Sequence, residues 1–550
     1  MKQLNYLQIH PDDDMFVALK DLPRGGMLPA DGGELLLTED VAAKHKFAAR
    51  SVAAGELLKM YGIVVGRALA DIGKGAPITT QNLVHATGDS DAYERCGPWR
   101  PPDVSRWQDQ TFQGYLREDG RVATRNHWIV IPLVFCENRN LSVMRDALIE
   151  ELGYGRDRSY QAHTRQLVQM FQSGADSQQI TEYSFPVSGQ SGDSNRVFEN
   201  LDGIKFLMHE SGCGCSYADS ESLCGLLAGY INHPNVAGAT VFSLGCQKAQ
   251  IDDLQRQIHQ RNPDFKKPLY IFEQQQIGTE QTMLERAIKQ TFAGLMRANQ
   301  VRREAVALSH LCLGVECGGS DGFSGISANP AMGHCSDLLV ALGGTVVLSE
   351  FPELSGCEAD LASRCVSEEV AQRFLSIMKS YEQHVINQGD GFDANPSPGN
   401  IRDGLITDAM KSAGAARKGG SSPVVAALDY PASVTQPGLN LLCTPGGDVE
   451  STTAMAGSGA TVMLFSTGLG TPTGNVVTPV IKVASNTELA QRMPDIIDID
   501  TGSIVRGEAH VENMGEQLFA AMIATASGTP TKAEQLGQDD FIPWKKNLTF

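Results

Sequence analysis

The sequence lacks any apolar run near about 18 residues, the length a helix needs to cross a bilayer. Its opening stretch, MKQLNYLQIHPDDD, lacks the apolar core of a secretory signal peptide. Neither a membrane partner nor export is expected, and a cytoplasmic location is. Positive charge is also short. Lys and Arg total 45 against 64 Asp and Glu, a net charge of −19. That excludes a nucleic-acid groove or an anionic membrane as the main partner. A small anion is still bindable through a local cluster of cations or backbone N–H groups. The twelve cysteines form no C-x-x-C pair and no compact framework, so reduced thiols are expected, some as metal ligands. There is no short-period repeat and no low-complexity tract.

What is present is ordinary globular material: 550 residues, 42% hydrophobic, with 56 glycines concentrated in turn-like motifs. This length suggests roughly two to four domains. Residues 1–88 read as a small β-rich module, with short apolar segments split by Gly, Pro and Asp. A polar, Trp-containing linker is expected over 89–112, lying on a surface. Over 113–300, runs such as HWIVIPLVFC and GATVFSLGC alternate with helical patterns such as SVMRDALIEELGY. A third region, 301–550, repeats strand-like runs that end in Gly-rich turns. The expected fold class is α/β: a β-rich module followed by two α/β domains with mostly parallel sheets.

Four runs end at or just beyond a cysteine: IVIPLVFC at Cys136, IKFLMHESGC at Cys213, VFSLGC at Cys246 and CLGVEC at Cys317. Ligands of open α/β sheets bind beyond the carboxyl ends of strands. Thiolates there, with His209 in HESGCGC, suit iron or zinc. The alternative is that each thiol is a small buried hydrophobe. CGGSDGFSGISANP (317–330) has the glycines to cradle a carboxylate with backbone N–H groups, or to make a turn capped by Ser and Asp. NPSPGN and STGLGTPTGN are similar loops, and the latter matches no nucleotide-binding pattern. Arg121 and Arg125 precede the first strand of the middle domain. Lys411, Arg417 and Lys418 cluster in MKSAGAARKGG. Each is a candidate anion clamp or part of a solvated basic face.

GYLREDGRVATRN, HPNVAGATVFSLGCQ, ECGGSDGFSGISANPAMG, GGTVVLSEFPELSGCE, NPSPGN and FSTGLGTPTGN together resemble the altronate/galactarate dehydratase family. HKFA, YGIVVGRALADI and GKGAPI resemble its SAF-type N-terminal domain. EFPELSGCE and DDFIPWKKNLTF look more like the altronate branch. The resemblance implies an iron-dependent hydro-lyase converting D-altronate to 2-keto-3-deoxy-D-gluconate. Where many members carry a His-x-His-x-His-Asn stretch, this chain has Pro77, Ile78, Thr79, Thr80, Gln81 and Asn82, which puts the role of the module in question.

That chemistry needs a base for the C2 proton, a cation for the developing enolate and an acid for the C3 hydroxyl. On this reading iron is held by some of His209, Cys213, Cys246 and Cys317, with Cys136 in reserve. Fe2+ is expected, with Mn2+ or an iron–sulfur cluster as alternatives. Lys411, Arg125 and the Gly318, Gly319, Ser320, Asp321 and Ser324 loop are expected to hold the carboxylate, with Arg417 and Thr467. His45, Glu350 and Glu353 are the candidate bases. The partner is a small anionic sugar acid, and the size class suggests a homo-oligomer. The competing functions are galactarate dehydration, sulfite elimination from a sulfolactate-like acid, and metal-free sugar-acid binding without turnover.

Overall fold

The computed structural model of the chain describes residues 5–547 and 549, apart from 31–32, 91–92, 156–158 and 186–195. The N-terminal module is built of small antiparallel sheets, the largest joining Tyr6–Leu7, Met15–Ala18, Lys46–Ala48 and Pro77–Ile78. Its strands are short because turn residues interrupt them every few positions. Where a strand has one wet face, burial alternates, as in Leu57–Met60. Val17, Leu58 and Val65 pack into one core with Phe323, Ile326 and Met410 of the C-terminal domain, so the module is seated on that domain.

The middle domain carries four parallel strands: β1 (His127–Pro132), β2 (Gly203–Phe206), β3 (Val236–Ser243) and β4 (Leu269–Glu273), in the order β2-β1-β3-β4. β1 is buried along its whole length, which is why it reads as an unbroken apolar run. Each fully buried Val or Ile there contributes about 1.5–3 kcal/mol. Helices α1 (Asn138–Leu148), α2 (Tyr217–Asn232) and α3 (Ile251–Arg261) follow β1, β2 and β3.

The C-terminal domain has seven parallel strands: β5 (Cys312–Cys317), β6 (Thr345–Leu348), β7 (Val424–Leu428), β8 (Gly438–Leu442), β9 (Val462–Thr467), β10 (Val480–Ala484) and β11 (Ile499–Asp500). Their order is β7-β8-β6-β5-β9-β10-β11. In both sheets the chain first builds to one side of the founding strand and then crosses to the other. The switch points therefore lie between β1 and β3, and between β5 and β9. Crevices open at such points.

Helix α4 (Asp448–Ser458) packs against α2 between the two sheets. The C-terminal tail runs across both domains. Asp539 pairs with Lys205 at 2.6 Å, Asp540 accepts from Gly474 N at 2.8 Å, and Phe541 lies beside His209 and Tyr230.

The linker differs from its expectation. Trp107 is 3% exposed and packs edge-on against Phe519, with ring centroids 4.9 Å apart. Thr111–Leu116 pairs antiparallel with Arg303–Ala307, so the chain enters and leaves the middle domain side by side. An indole buries more area than a polar linker can keep in water, and this outweighs the surrounding polarity. Among the described residues, no helix is long and apolar enough to cross a membrane.

Candidate active site

β5 and β9 end together, with Cys317 opposite Ser466. Beyond β6 the chain turns sharply through Glu350, which has φ 62° and ψ 59°. A left-handed non-glycine residue costs about 1–2 kcal/mol. The turn is held by Glu350 N donating to Thr444 Oγ1 at 2.8 Å. This conformation brings the Glu350 carboxylate to Cys317. Its Oε2 accepts from Cys317 N at 3.1 Å and from Lys418 Nζ at 2.6 Å. Lys418 Nζ also donates to Cys317 Sγ at 2.8 Å, and the thiol donates to Glu353 Oε2 at 3.3 Å. Lys411 Nζ donates to Glu353 Oε1 at 2.6 Å and to Asn395 Oδ1 at 3.0 Å.

Two further carboxyls join this cluster. Glu316, one residue before Cys317, accepts from Ser349 Oγ at 3.1 Å and Ser451 Oγ at 2.8 Å. It also lies close enough to Glu350 for the two buried carboxyls to act on one another's charge. The Oε1 atoms of both residues are buried without a hydrogen-bond partner. Asp448, the first residue of α4, lies directly on Gly318: a Cβ there would stand 2.2 Å from Asp448 Oδ2. Only glycine permits that approach.

Burial and the neighbouring Glu353 push Glu350 up to about 7, and burial with Glu350 pushes Glu316 well up. Burial also raises Glu353, but Lys411 and Lys418 outweigh it and hold this carboxylate below its ordinary value. Burial lowers both lysines, yet the anions around them leave both raised and charged. Burial and Glu353 push Asp448 up to about 6. Burial and Glu350 raise the Cys317 thiol, so it is neutral. Glu350 and Lys418 are sealed, at 0% and 1% side-chain exposure, whereas Lys411 is 10% exposed and Asp448 half-buried. The open side of the cluster therefore presents one ammonium and one carboxyl with a pKa near neutrality.

The three Gly-rich loops meet here. Asn400 of NPSPGN donates to Ser320 O at 2.7 Å, and Gly468 N and Leu469 N donate to Gly319 O at 3.0 Å. Thr467 Oγ1 caps the last loop by accepting from Gly470 N at 2.9 Å. Asp321 organises the first loop. Its Oδ1 accepts from Ser324 N and Oγ, both at 2.9 Å, and from Ser485 Oγ at 2.8 Å. Its Oδ2 pairs with Lys44 Nζ at 3.1 Å. Asp321 and Ser324 thus spend their hydrogen bonds on the loop and the module. His45 contacts the Arg402 carbonyl at 3.1 Å, at the seam between the module and the C-terminal domain. In the module itself, residues 77–82 form a turn closed by Asn82, which accepts from Thr79 N and donates to Pro77 O.

Other expected residues lie elsewhere. Arg125 is a structural tie: 3% exposed, it clasps Glu534 at 2.6 and 2.8 Å and donates to the Thr525 carbonyl at 2.7 Å. Arg417 lies over the Tyr61 ring at 4.9 Å, while its neighbour Lys418 enters the site. His209 is buried with both ring nitrogens engaged. Nε2 meets Pro132 O at 2.8 Å, and Nδ1 accepts from Ser211 N at 3.1 Å. Burial lowers it to about 4, so it is a neutral core imidazole with no free lone pair for a metal. Glu316 and Asp448 were missed as site residues, whereas Lys418, a candidate anion clamp in MKSAGAARKGG, does enter the site. Glu316 had a signal, as a charge inside the apolar run CLGVEC.

The four strand-end cysteines do not form one group. Cys317 is buried under the C-terminal sheet, whereas Cys136, Cys213 and Cys246 are exposed at the carboxyl edge of the middle sheet. Among the described residues, the set of metal-ligating atoms within 4.8 Å of one another is Cys317, Glu350 and Glu353. This set does not suit iron, because the Lys418 and Lys411 ammonium groups already stand where a cation would. The donor chemistry of the exposed thiols does suit iron.

Family models match the chain along its length. They are the altronate/galactarate dehydratase SAF domain over residues 4–86, the D-galactarate dehydratase/altronate hydrolase second domain over 114–299, and the D-galactarate/altronate dehydratase C-terminal domain over 308–549. Altronate dehydratase of Escherichia coli is 32% identical over 99% of this chain and 100% of its own. Altronate dehydratase of Bacillus subtilis is 30% identical over 99% of each chain. Galactarate dehydratase (L-threo-forming) of Escherichia coli is 31% identical over 95% of this chain and 93% of its own.

Proposed function

This chain belongs to the altronate/galactarate dehydratase family, and within it we propose that the protein dehydrates D-altronate to 2-keto-3-deoxy-D-gluconate. The end-to-end match to two altronate enzymes supports this substrate, although identity alone separates altronate from galactarate by only 32% against 31%.

The observation that carries the mechanism is the open face of the cluster, where Asp448 and Lys411 sit above a sealed layer of Glu350, Lys418 and Cys317. The Lys411 ammonium, held by Glu353 and Asn395, binds the substrate carboxylate and stabilises the negative charge that grows on it as C2 loses its proton. The Asp448 carboxylate, with a pKa about 6, takes that proton. The C3–O bond breaks, and the proton on Asp448 leaves with the hydroxyl as water. The resulting enol tautomerises to the 2-keto acid. Glu350, Glu316 and Lys418 act as positioning residues, fixing the charge beneath Glu353 and Lys411. Iron held by Cys136, Cys213 and Cys246 supplies Lewis-acid chemistry when bound.

The test is turnover by anaerobically purified protein offered D-altronate, galactarate or 3-sulfolactate, with and without Fe2+. Iron-dependent 2-keto acid from altronate supports the reading. Product from galactarate or sulfolactate alone moves the substrate to that acid, and no product from any of them favours binding without turnover.

A further inference from the structure

Four of the twelve cysteines are exposed, and three of them, Cys136, Cys213 and Cys246, occupy the loops that follow the adjacent strands β1, β2 and β3. Cysteine is among the most buried residue types, so three exposed thiols at one sheet edge need a reason. The loops are tied to one another by their backbones. Phe135 N donates to Ser211 O at 3.1 Å, and Lys248 N donates to Gly212 O at 3.0 Å. The Cys213 loop is thereby pinned between the loops of Cys136 and Cys246. Gly212 makes this seam, at φ +101°, where a Cβ would stand 2.1 Å from Leu133 O. A side chain at 212 would force the Cys213 loop away from Cys136.

Helices α1, α2 and α3 begin at Asn138, Tyr217 and Ile251, shortly after the three cysteines. Each of the three cysteines thus sits in a loop that leads into a helix N-terminus. Gln275 Nε2 donates to Cys246 Sγ at 3.2 Å, the kind of hydrogen bond that tunes a metal-bound sulfur.

The donor count is three. His209, the nearest candidate for a fourth ligand in the sequence, has both nitrogens committed to the backbone. The three sulfurs do not all lie within 4.8 Å of one another, since the set that does is Cys317 with Glu350 and Glu353 among the described residues. A single tetrahedral ion with metal–sulfur bonds of about 2.3 Å would draw its thiolates closer than that. A cluster spreads its cysteines, because each thiolate binds a different iron.

We propose that Cys136, Cys213 and Cys246 hold a four-iron–four-sulfur cluster whose fourth iron has no protein ligand and is open to an oxygen of a hydroxy acid. The cluster shares no ligand with the set of Cys317, Glu350 and Glu353. It deepens the iron assignment made above, and its detection does not depend on turnover.

The test is anaerobic reconstitution of the full chain with iron and sulfide, followed by iron and acid-labile sulfide analysis, visible absorbance and electron paramagnetic resonance of the reduced protein. About four iron and about four sulfide per chain are expected, with a resonance that shifts on adding D-altronate. Cys136→Ser, Cys213→Ser and Cys246→Ser each lose the absorbance while keeping the circular dichroism of the folded chain. Cys96→Ser and Cys317→Ser keep the cluster. One iron without sulfide, or a triple serine variant that still assembles the chromophore, overturns the proposal. If no cluster assembles on the three cysteines while the protein still turns over altronate, this inference fails and the dehydratase reading stands. A cluster in a protein that dehydrates no sugar acid gives the reverse.

Discussion

Lys418 Nζ lies 2.6 Å from Glu350 Oε2, and both side chains are shut off from water at 1% and 0% exposure. Breaking a buried pair leaves an uncompensated charge, which costs about 3–5 kcal/mol. Lys418→Met is expected to lower unfolding stability by that order and to abolish turnover, because Glu353 and Lys411 lose their support. Lys418→Met combined with Glu350→Gln removes both charges and recovers most of the stability but not the activity. Denaturant titration of the two variants beside the wild type measures this.

The pH dependence follows from Asp448. A base with a pKa about 6 is protonated and idle below that value. The profile of kcat/KM is expected to climb about tenfold per pH unit up to about 6 and then level off. An acid limb centred near 4 would place the base elsewhere.

Asp408 gives a stability prediction with a definite sign. It is 1% exposed and neither carboxyl oxygen has a hydrogen-bond partner, and burial with Glu353 pushes it up to about 8. Between its ordinary 3.8 and about 8 the folded chain holds a proton that the unfolded chain has lost. Its contribution to stability therefore falls as pH rises through that window. Asp408→Asn is expected to melt several degrees above wild type at pH 9, with the gap closing towards pH 4. Melting curves across that range decide it.

Gly318→Ala places a methyl 2.2 Å from Asp448 Oδ2 and 2.7 Å from the Phe465 ring. The carboxyl has to move. A displacement of about 1 Å at a reacting group costs about 10²-fold. Steady-state kinetics are expected to show that fall in kcat while the iron content is unchanged.

The sequence shows the parallel sheets well, because buried parallel strands leave unbroken apolar runs such as HWIVIP and CLGVEC. It also shows the strand-end cysteines, but not which sheet each belongs to. Cys317 and Cys246 look alike in sequence, yet one is sealed beside lysines and the other faces solvent. Which basic residue of MKSAGAARKGG enters the site depends on the phase of the turn Ala416–Gly419, and the turn sends Lys418 inward and Arg417 to Tyr61. Arg125 misled because its partner Glu534 is 409 residues away. His209 misled because its partners are backbone atoms, which sequence does not show.

The most direct test of the account is product formation from D-altronate by the wild type and by Asp448→Asn, at equal iron content and pH above 7. The account predicts 2-keto-3-deoxy-D-gluconate from the wild type and a rate lower by about 10²–10⁴ in the variant. Wild-type turnover by Asp448→Asn would contradict the assigned base, and absence of product from the iron-loaded wild type would contradict the dehydration itself.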